Sequence, residues 1–205
     1  MRVPVVICVQ ERNSLFSRFD TAQLARTDAV LFLDDDRYMK LSSVMSLFDV
    51  WRSYPYSLVG PTMRYHARTR TGRLLYSEAR RDDSGKFYYS MLLTGELFLH
   101  REIAIRFLQE TPATLLSYVD EQMNCEDILL NFFVASLNPG YSNTVGVVSR
   151  KDPVFVADLS DTCSDTTVTK LSGKQYHFLR RSRCLEYFSQ VYGDILVSTH
   201  IGMIR

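Results

Sequence analysis

The feature that most constrains this chain is a continuous apolar pentad, Ala29 to Leu33 (AVLFL), that runs straight into Asp34-Asp35-Asp36. Five apolar residues without alternation predict a short strand covered on both faces. Three carboxylates at its end cannot be packing, so they mark the edge where the strand leaves the core. Side chains alternate along a strand, so Asp34 and Asp36 are expected on one side and Asp35 on the other. Paired carboxylates there form a hard-oxygen site suited to Mg²⁺ or Mn²⁺. In open α/β sheets the carboxyl edge is also where ligands lie. A solvated turn with a capping aspartate explains a lone triple acid equally well. Phosphohydrolases and nucleotidyltransferases share the triple acid, so it selects no reaction by itself.

The surrounding pattern predicts an α/β fold with a largely parallel sheet flanked by helices. Val3 to Val9 reads as a buried strand that encloses Cys8 as a small hydrophobe. A helix is predicted over 13–26 with Asn13 as cap. After the acids, Ser42 or Ser43 can cap a helix in which Val44, Leu47, Phe48 and Trp51 share one face and which ends before Pro55. Leu58 to Gly60 is a further strand. Residues 64–90 are polar and Arg-rich, with Thr71-Gly72 and Ser84-Gly85 as turns of one or two hairpins. Met91 to His100 reads as a strand around Gly95, with helices near 101–110 and 112–122. Glu126 to Leu137 is a strongly apolar helix whose Leu129, Phe132 and Phe133 belong to the core. Val145 to Val148 and Val154 to Val156 read as strands, 158–172 as a Ser/Thr/Asp-rich loop, and 175–192 as a last helix. No repeat or linker divides the 205 residues, so one domain is expected.

Composition closes several routes. Lys and Arg number 24 against 23 acids, so no global field exists to hold nucleic acid. The apolar runs are too short to span a membrane, and no secretory signal pattern follows Met1. Four cysteines without a CxxC pair make a zinc site of the common spacing improbable and leave the redox compartment open. Of the arginines at 64, 68, 70, 73, 80 and 81, all but Arg64 read as a solvated hairpin. His177 reads as structural.

A second acidic site opens the apolar helix at Glu126-Asp127, where the helix dipole alone would favour acids. Together with the triple aspartate, the two become candidates for the far wall of one cleft. Five blocks then carry a resemblance: VLFLDDD; a Gly-x-x-x-Arg-x-His element at Gly60 to His66; YSMLLTGELF at Tyr89 to Phe98; NCEDILLNF at Asn124 to Phe132; and HFLRRSRC at His177 to Cys184. In this order and spacing they resemble the exostosin-type glycosyltransferase domain. The resemblance implies a GT-A fold and a metal-dependent, retaining transfer of an N-acetylhexosamine (GlcNAc or GalNAc) from a UDP-sugar. The acceptor would be a glycan or glycolipid, joined in α-linkage.

Carried over by position, the resemblance puts Asp34 near the ribose and donor sugar, Asp35 near the sugar, and Asp36 on Mn²⁺ or Mg²⁺. Asp127 would sit beneath the anomeric centre, with Glu126 on sugar or acceptor hydroxyls. Arg64 and Arg181 would lie close to the donor, and Asn13 and Arg18 would contact the nucleotide. Guanidinium groups suit a departing diphosphate, and a carboxylate suits an oxocarbenium-like transition state. Cys125 and Cys184 match family cysteines that pair, which implies a Golgi or endoplasmic-reticulum lumen, membrane association of the full-length protein, and oligomers with related glycosyltransferases. The family's first strand–helix–strand, which builds most of its uracil pocket, is expected to be missing, making the domain truncated at its N-terminus. Two other readings stay open. One is a catalytically impaired relative acting as a sugar- or partner-binding module; the other is a metal-dependent phosphohydrolase or nucleotidyltransferase. Asp36, Arg64, Asp127 and Arg181 together favour the transferase. The last reading lacks a Gly-rich phosphate loop.

Overall fold

A computed structural model describes residues 4–147, 156–158 and 174–201. The chain opens irregularly, then forms the short helix α1 (Ser17–Asp20), a 3₁₀ turn (Thr21–Leu24) and the strand β1 (Ala29–Leu33). There follow β2 (Arg37–Met39), α2 (Leu41–Ser53), β3 (Leu58–Gly60), β4 (Met63–Arg68), β5 (Leu74–Glu78), β6 (Arg80–Arg81), β7 (Phe87–Tyr89), β8 (Met91–Leu92) and β9 (Glu96–His100). The remainder is α3 (Arg101–Glu110), α4 (Ala113–Gln122), α5 (Glu126–Leu137), β10 (Thr144–Gly146), β11 (Val156–Asp158), α6 (Lys174–Tyr192) and β12 (Thr199–Ile201).

The central sheet has the order β1-β9-β3-β10. Its strand–helix–strand units do run one way, because β9 is antiparallel to both β1 and β3 while β10 is parallel to β3. The sheet is nevertheless mostly antiparallel by pairing, which corrects the expectation of a largely parallel one. The reason is the insertion of β9 between β1 and β3, a long-range event that local alternation of strands and helices does not encode.

Being central, β9 is covered on both faces, and its side chains alternate between two cores. Leu97 and Leu99 join Phe19, Phe107, Phe132 and Phe188 beneath α3, α5 and α6. Phe98 faces the other way, onto Leu47, Trp51, Val59 and Met39 under α2. The apolar stripe predicted for α2 is therefore its packed face. Smaller sheets, β5-β4-β8, β12-β7-β6 and β11-β2, surround this centre. The two hairpins turn at Gly72 and Gly85, both with positive φ, as the turn signals required.

Several local expectations are corrected. Residues 4–9 are irregular and exposed, and Cys8 is an exposed free thiol rather than a buried one. An apolar run becomes a strand only when a neighbour satisfies its backbone, and no described strand pairs with this one. The helix expected over 13–26 shrinks because Phe16, Phe19 and Ala22 are the buried positions. Their spacing of three suits a tight 3₁₀-like turn better than a long α-helix. Asn13 caps nothing; Ser14 instead accepts from the Phe16 amide at 3.2 Å and donates to Asp120 at 2.7 Å. Ser42 and Ser43 lie inside α2 rather than ahead of it. β1 is an edge strand and only partly buried, not covered on both faces. Of the strand expected at Val154 to Val156 and the loop expected over 158–172, all but residues 156 and 158 lie outside the described residues. No helix among the described residues is long and apolar enough to cross a membrane.

Candidate active site

The triple aspartate forms a turn, not a continuation of the strand. β1 stops at Leu33, the Asp34 amide donates to the Gly95 carbonyl at 2.9 Å, and the Arg37 amide closes the turn on the Asp34 carbonyl at 3.1 Å. All three carboxylates therefore line one open cleft of about 450 Å³, with Arg18, Phe32 and Leu33. Strand alternation would have split them, and this outcome corrects that expectation. Gly95 is what lets the turn sit so close: a Cβ there would lie 2.7 Å from Asp34 Oδ2. Arg18 Nη1 stands 2.8 Å from Asp34 Oδ1.

Behind the turn lies an acid that the sequence reading did not single out. Glu96, at the start of β9, is 2% exposed; it accepts from Thr62 Oγ1 at 2.9 Å and stands 3.4 Å from Arg37 Nε. Burial pushes its carboxyl above the usual range, and the Thr62 bond and Arg37 only partly offset that. Arg37 Nε also lies 3.6 Å from Asp36 Oδ1. Asp34 Oδ1, Arg37 Nε and Glu96 Oε1 are buried in ion pairs rather than hydrogen bonds, the first with Arg18 and the other two with each other.

Glu126 and Asp127 do not line that cleft as its far wall; they open α5, which begins from a constrained corner. Met123 and Cys125 both have positive φ, 44° and 79°, a conformation that non-glycine residues seldom adopt. A disulfide from Cys125 to Cys184, with Cα atoms 6.4 Å apart, ties this corner to α6. One residue beyond Cys125 is Glu126, and the next is Asp127. Three residues before Cys184 on α6 is Arg181, which forms a short ion pair with Asp127. Both partners are buried, at 4% and 6% exposure.

Several contacts hold the pair, although Arg181 Nε is buried without a hydrogen bond. Asp127 Oδ1 accepts from the Ile128 amide at 2.8 Å. Arg181 Nη1 donates to Asn124 Oδ1 at 3.1 Å, and its guanidinium lies 4.5 Å from the Tyr76 ring centre. Asn131 clamps the helix to β8, donating to the Leu92 and Asp127 carbonyls and accepting from the Leu92 amide. Burial alone would lower the Arg181 pKa, but Asp127, Tyr76 and Glu126 outweigh it and hold it above its ordinary value. Tyr76 is pushed up to about 12 by burial. Burial, then the Arg181 charge, lowers the His177 pKa. Arg64 donates to the Met63 carbonyl at 2.9 Å, and its charge reaches both Tyr76 and His177. Glu126 is pushed up to about 7, first by burial and then by repulsion from Asp127.

A polar bridge joins the two acidic groups. Arg18 Nη1 donates to Thr94 Oγ1 at 3.3 Å, and Thr94 Oγ1 donates to Glu126 Oε1 at 3.3 Å. The fold thus brings Arg18, Asp34, Asp35, Asp36, Glu126, Asp127 and Arg181 to one region, with Arg64 within electrostatic reach. Asn13 does not join them; it is exposed and has no hydrogen bond among the described residues. Thr94, Glu96, Tyr76 and Asn124 complete the site and were not singled out from sequence. Thr94 and Glu96 lie within the Tyr89 to Phe98 block and Asn124 opens the Asn124 to Phe132 block; the local signal was two polar residues flanking a glycine inside the otherwise apolar stretch 91–99.

Asp36 could serve as one carboxylate ligand of a small divalent ion shared with a bound phosphate. Among the described residues no three His, Cys, Asp or Glu side chains converge on one point, so no all-protein cage exists. Asp36 is partly exposed at the cleft, and Mg²⁺-type ions are commonly held by one or two carboxylates plus substrate phosphates.

Sequence comparison identifies the family. Residues 1–204 match the glycosyl transferase family 64 domain, and the chain belongs to this exostosin-type family. It is 40% identical over 195 residues to glucosamine inositolphosphorylceramide transferase 1 of Arabidopsis thaliana, covering 95% of this chain and 24% of that protein. It is 36% identical over 202 residues to the protein of the same name from Oryza sativa subsp. indica, covering 98% and 26%. To exostosin-2 of Homo sapiens it is 31% identical over 197 residues, covering 95% and 26%. The chain thus spans about a quarter of the length of these relatives.

Proposed function

We propose that this chain is a GT-A-type catalytic domain that transfers an N-acetylhexosamine from a UDP-sugar to a glycan or glycolipid acceptor, with retention and in α-linkage. The observation that carries the reading is the buried Asp127–Arg181 pair beside Glu126, the residue that Thr94 and Arg18 link to the acidic turn. Family membership and the relatives' names support it: one group acts on an inositolphosphorylceramide with a glucosamine unit, which favours an amino-sugar donor and a glycolipid acceptor.

The residues divide the work by their chemistry. Asp34 and Asp35 offer acceptors for ribose and sugar hydroxyls. Asp36 would hold Mn²⁺ or Mg²⁺ together with the diphosphate; such an ion, when bound, neutralises charge on the leaving group. Arg64, whose charge reaches Tyr76 and His177, would add a second cation near Arg181. Arg181 holds Asp127 in place, so its side chain would face developing positive charge at the anomeric centre without reorganising. Glu126, with its raised pKa, is suited to hydrogen bonds with sugar or acceptor hydroxyls. The disulfide suits an oxidising lumen, and we place the protein in the Golgi or endoplasmic reticulum, membrane-associated at full length and in oligomers with related transferases. The test is incubation with UDP-GlcNAc or UDP-GalNAc, Mn²⁺ and an inositolphosphorylceramide-type acceptor, with the product's anomeric coupling read by NMR. An α-linked product is expected; a β-linked product, or UDP release with no transfer to any acceptor, would defeat the reading.

A further inference from the structure

We propose that Thr94 is a positioning residue that couples the donor-side turn to Glu126. The proposal rests on the donor and acceptor reading above and extends it to a residue outside the acidic motifs.

Thr94 is 3% exposed, and its hydroxyl lies between the two acidic groups. Its proton has one destination. Arg18 has no acceptor to offer, so Arg18 Nη1 donates to Thr94 Oγ1, and the hydroxyl proton goes to Glu126 Oε1. The same Arg18 Nη1 stands 2.8 Å from Asp34 Oδ1. One guanidinium nitrogen is therefore shared between the turn and the threonine. When a donor's hydroxyls engage Asp34, the attraction that Asp34 exerts on Arg18 is divided, and Arg18 shifts its weight to Thr94. A more polarised hydroxyl then holds Glu126 more firmly in its ionised, oriented form. Donor occupancy is in this way felt at the carboxylate that meets the acceptor, and by linkage the reverse holds equally. Glu126 otherwise faces Arg18 from α1, Asp127 on its own helix and Arg181 from α6. Thr94 is the only described neutral donor that bridges those groups to the turn.

The test is a two-by-two cycle of wild type, Asp34→Asn, Thr94→Val and the double variant. Carboxyl-carbon NMR reads the Glu126 titration midpoint in each. Asp34→Asn should move the midpoint by about half a pH unit or more in the wild-type background, a roughly threefold change in its equilibrium. The move should shrink to under half that size when Thr94 is Val. Thr94→Ser, which keeps the hydroxyl, should restore it; Thr94→Ala replaces Val if the valine variant does not fold. Equal moves in both backgrounds, or a serine variant that behaves as valine does, would overturn the proposal, because a merely structural threonine leaves the cycle additive. Isothermal titration of UDP with Mn²⁺ into the same proteins is read separately. If wild type does not bind UDP, the donor reading fails while the cycle still decides the role of Thr94.

Discussion

Asp127→Asn separates a structural from a catalytic role, and both magnitudes follow from the site. Arg181 remains charged in the variant because a guanidinium is not deprotonated in proteins, yet it stays buried and loses its counter-ion. Breaking one side of a buried pair costs about 3–5 kcal/mol. Asparagine still accepts from the Ile128 amide through Oδ1, so the loss should fall near 3 kcal/mol by that same range. For a chain of this size that is roughly a 6–12 °C fall in Tm by scanning calorimetry. Turnover should fall by at least two to three orders of magnitude, about 3–4 kcal/mol of transition-state stabilisation. UDP affinity should change little. The double variant Asp127→Asn/Arg181→Met removes the orphaned charge and should recover most of the lost stability without recovering turnover. A single variant that keeps more than a tenth of wild-type kcat would refute the reasoning. So would a double variant that regains activity along with stability.

Two further outcomes follow from the same geometry. Glu126 has its folded pKa raised to about 7 from the usual 4.5, so the folded state binds more protons than the unfolded state between those values. Stability should therefore fall as pH rises through that window, and Glu126→Gln should flatten the slope in calorimetric scans at stepped pH; an unchanged slope would contradict it. Reducing the Cys125–Cys184 bond, or replacing both cysteines by Ala, opens a loop of 59 residues. The loop-closure entropy lost is about 4 kcal/mol, and kcat should fall too because Asp127 and Arg181 flank the bridge. A Tm shift equivalent to under about 1 kcal/mol would show that the bridge is not a staple.

Much of the frame was legible because it is local. The pentad at 29–33, the stripe of Leu47 and Trp51, the two glycine turns and the apolar α5 each declare themselves by spacing. What escaped depends on partners distant in sequence. Nothing in residues 4–9 says that no described strand pairs with them, and nothing in β9 says that it inserts between β1 and β3. The site followed the same rule. Runs of acids are conspicuous, so both carboxylate groups were found. Thr94 and Glu96 sit inside an apolar strand reading and acquire their roles only from Arg18, Arg37 and Glu126, 32 to 76 residues away. Asn13, chosen by resemblance, lies in the exposed opening segment, where the described contacts give it no role.

The central claim, that the acidic turn holds a metal shared with a nucleotide diphosphate, is tested most directly by calorimetric titration of UDP into wild type and Asp36→Asn, each with and without Mn²⁺. The account predicts that Mn²⁺ strengthens UDP binding to wild type at least tenfold, about 1.4 kcal/mol or more, and leaves Asp36→Asn nearly unchanged. Equal metal dependence in the two proteins would contradict it.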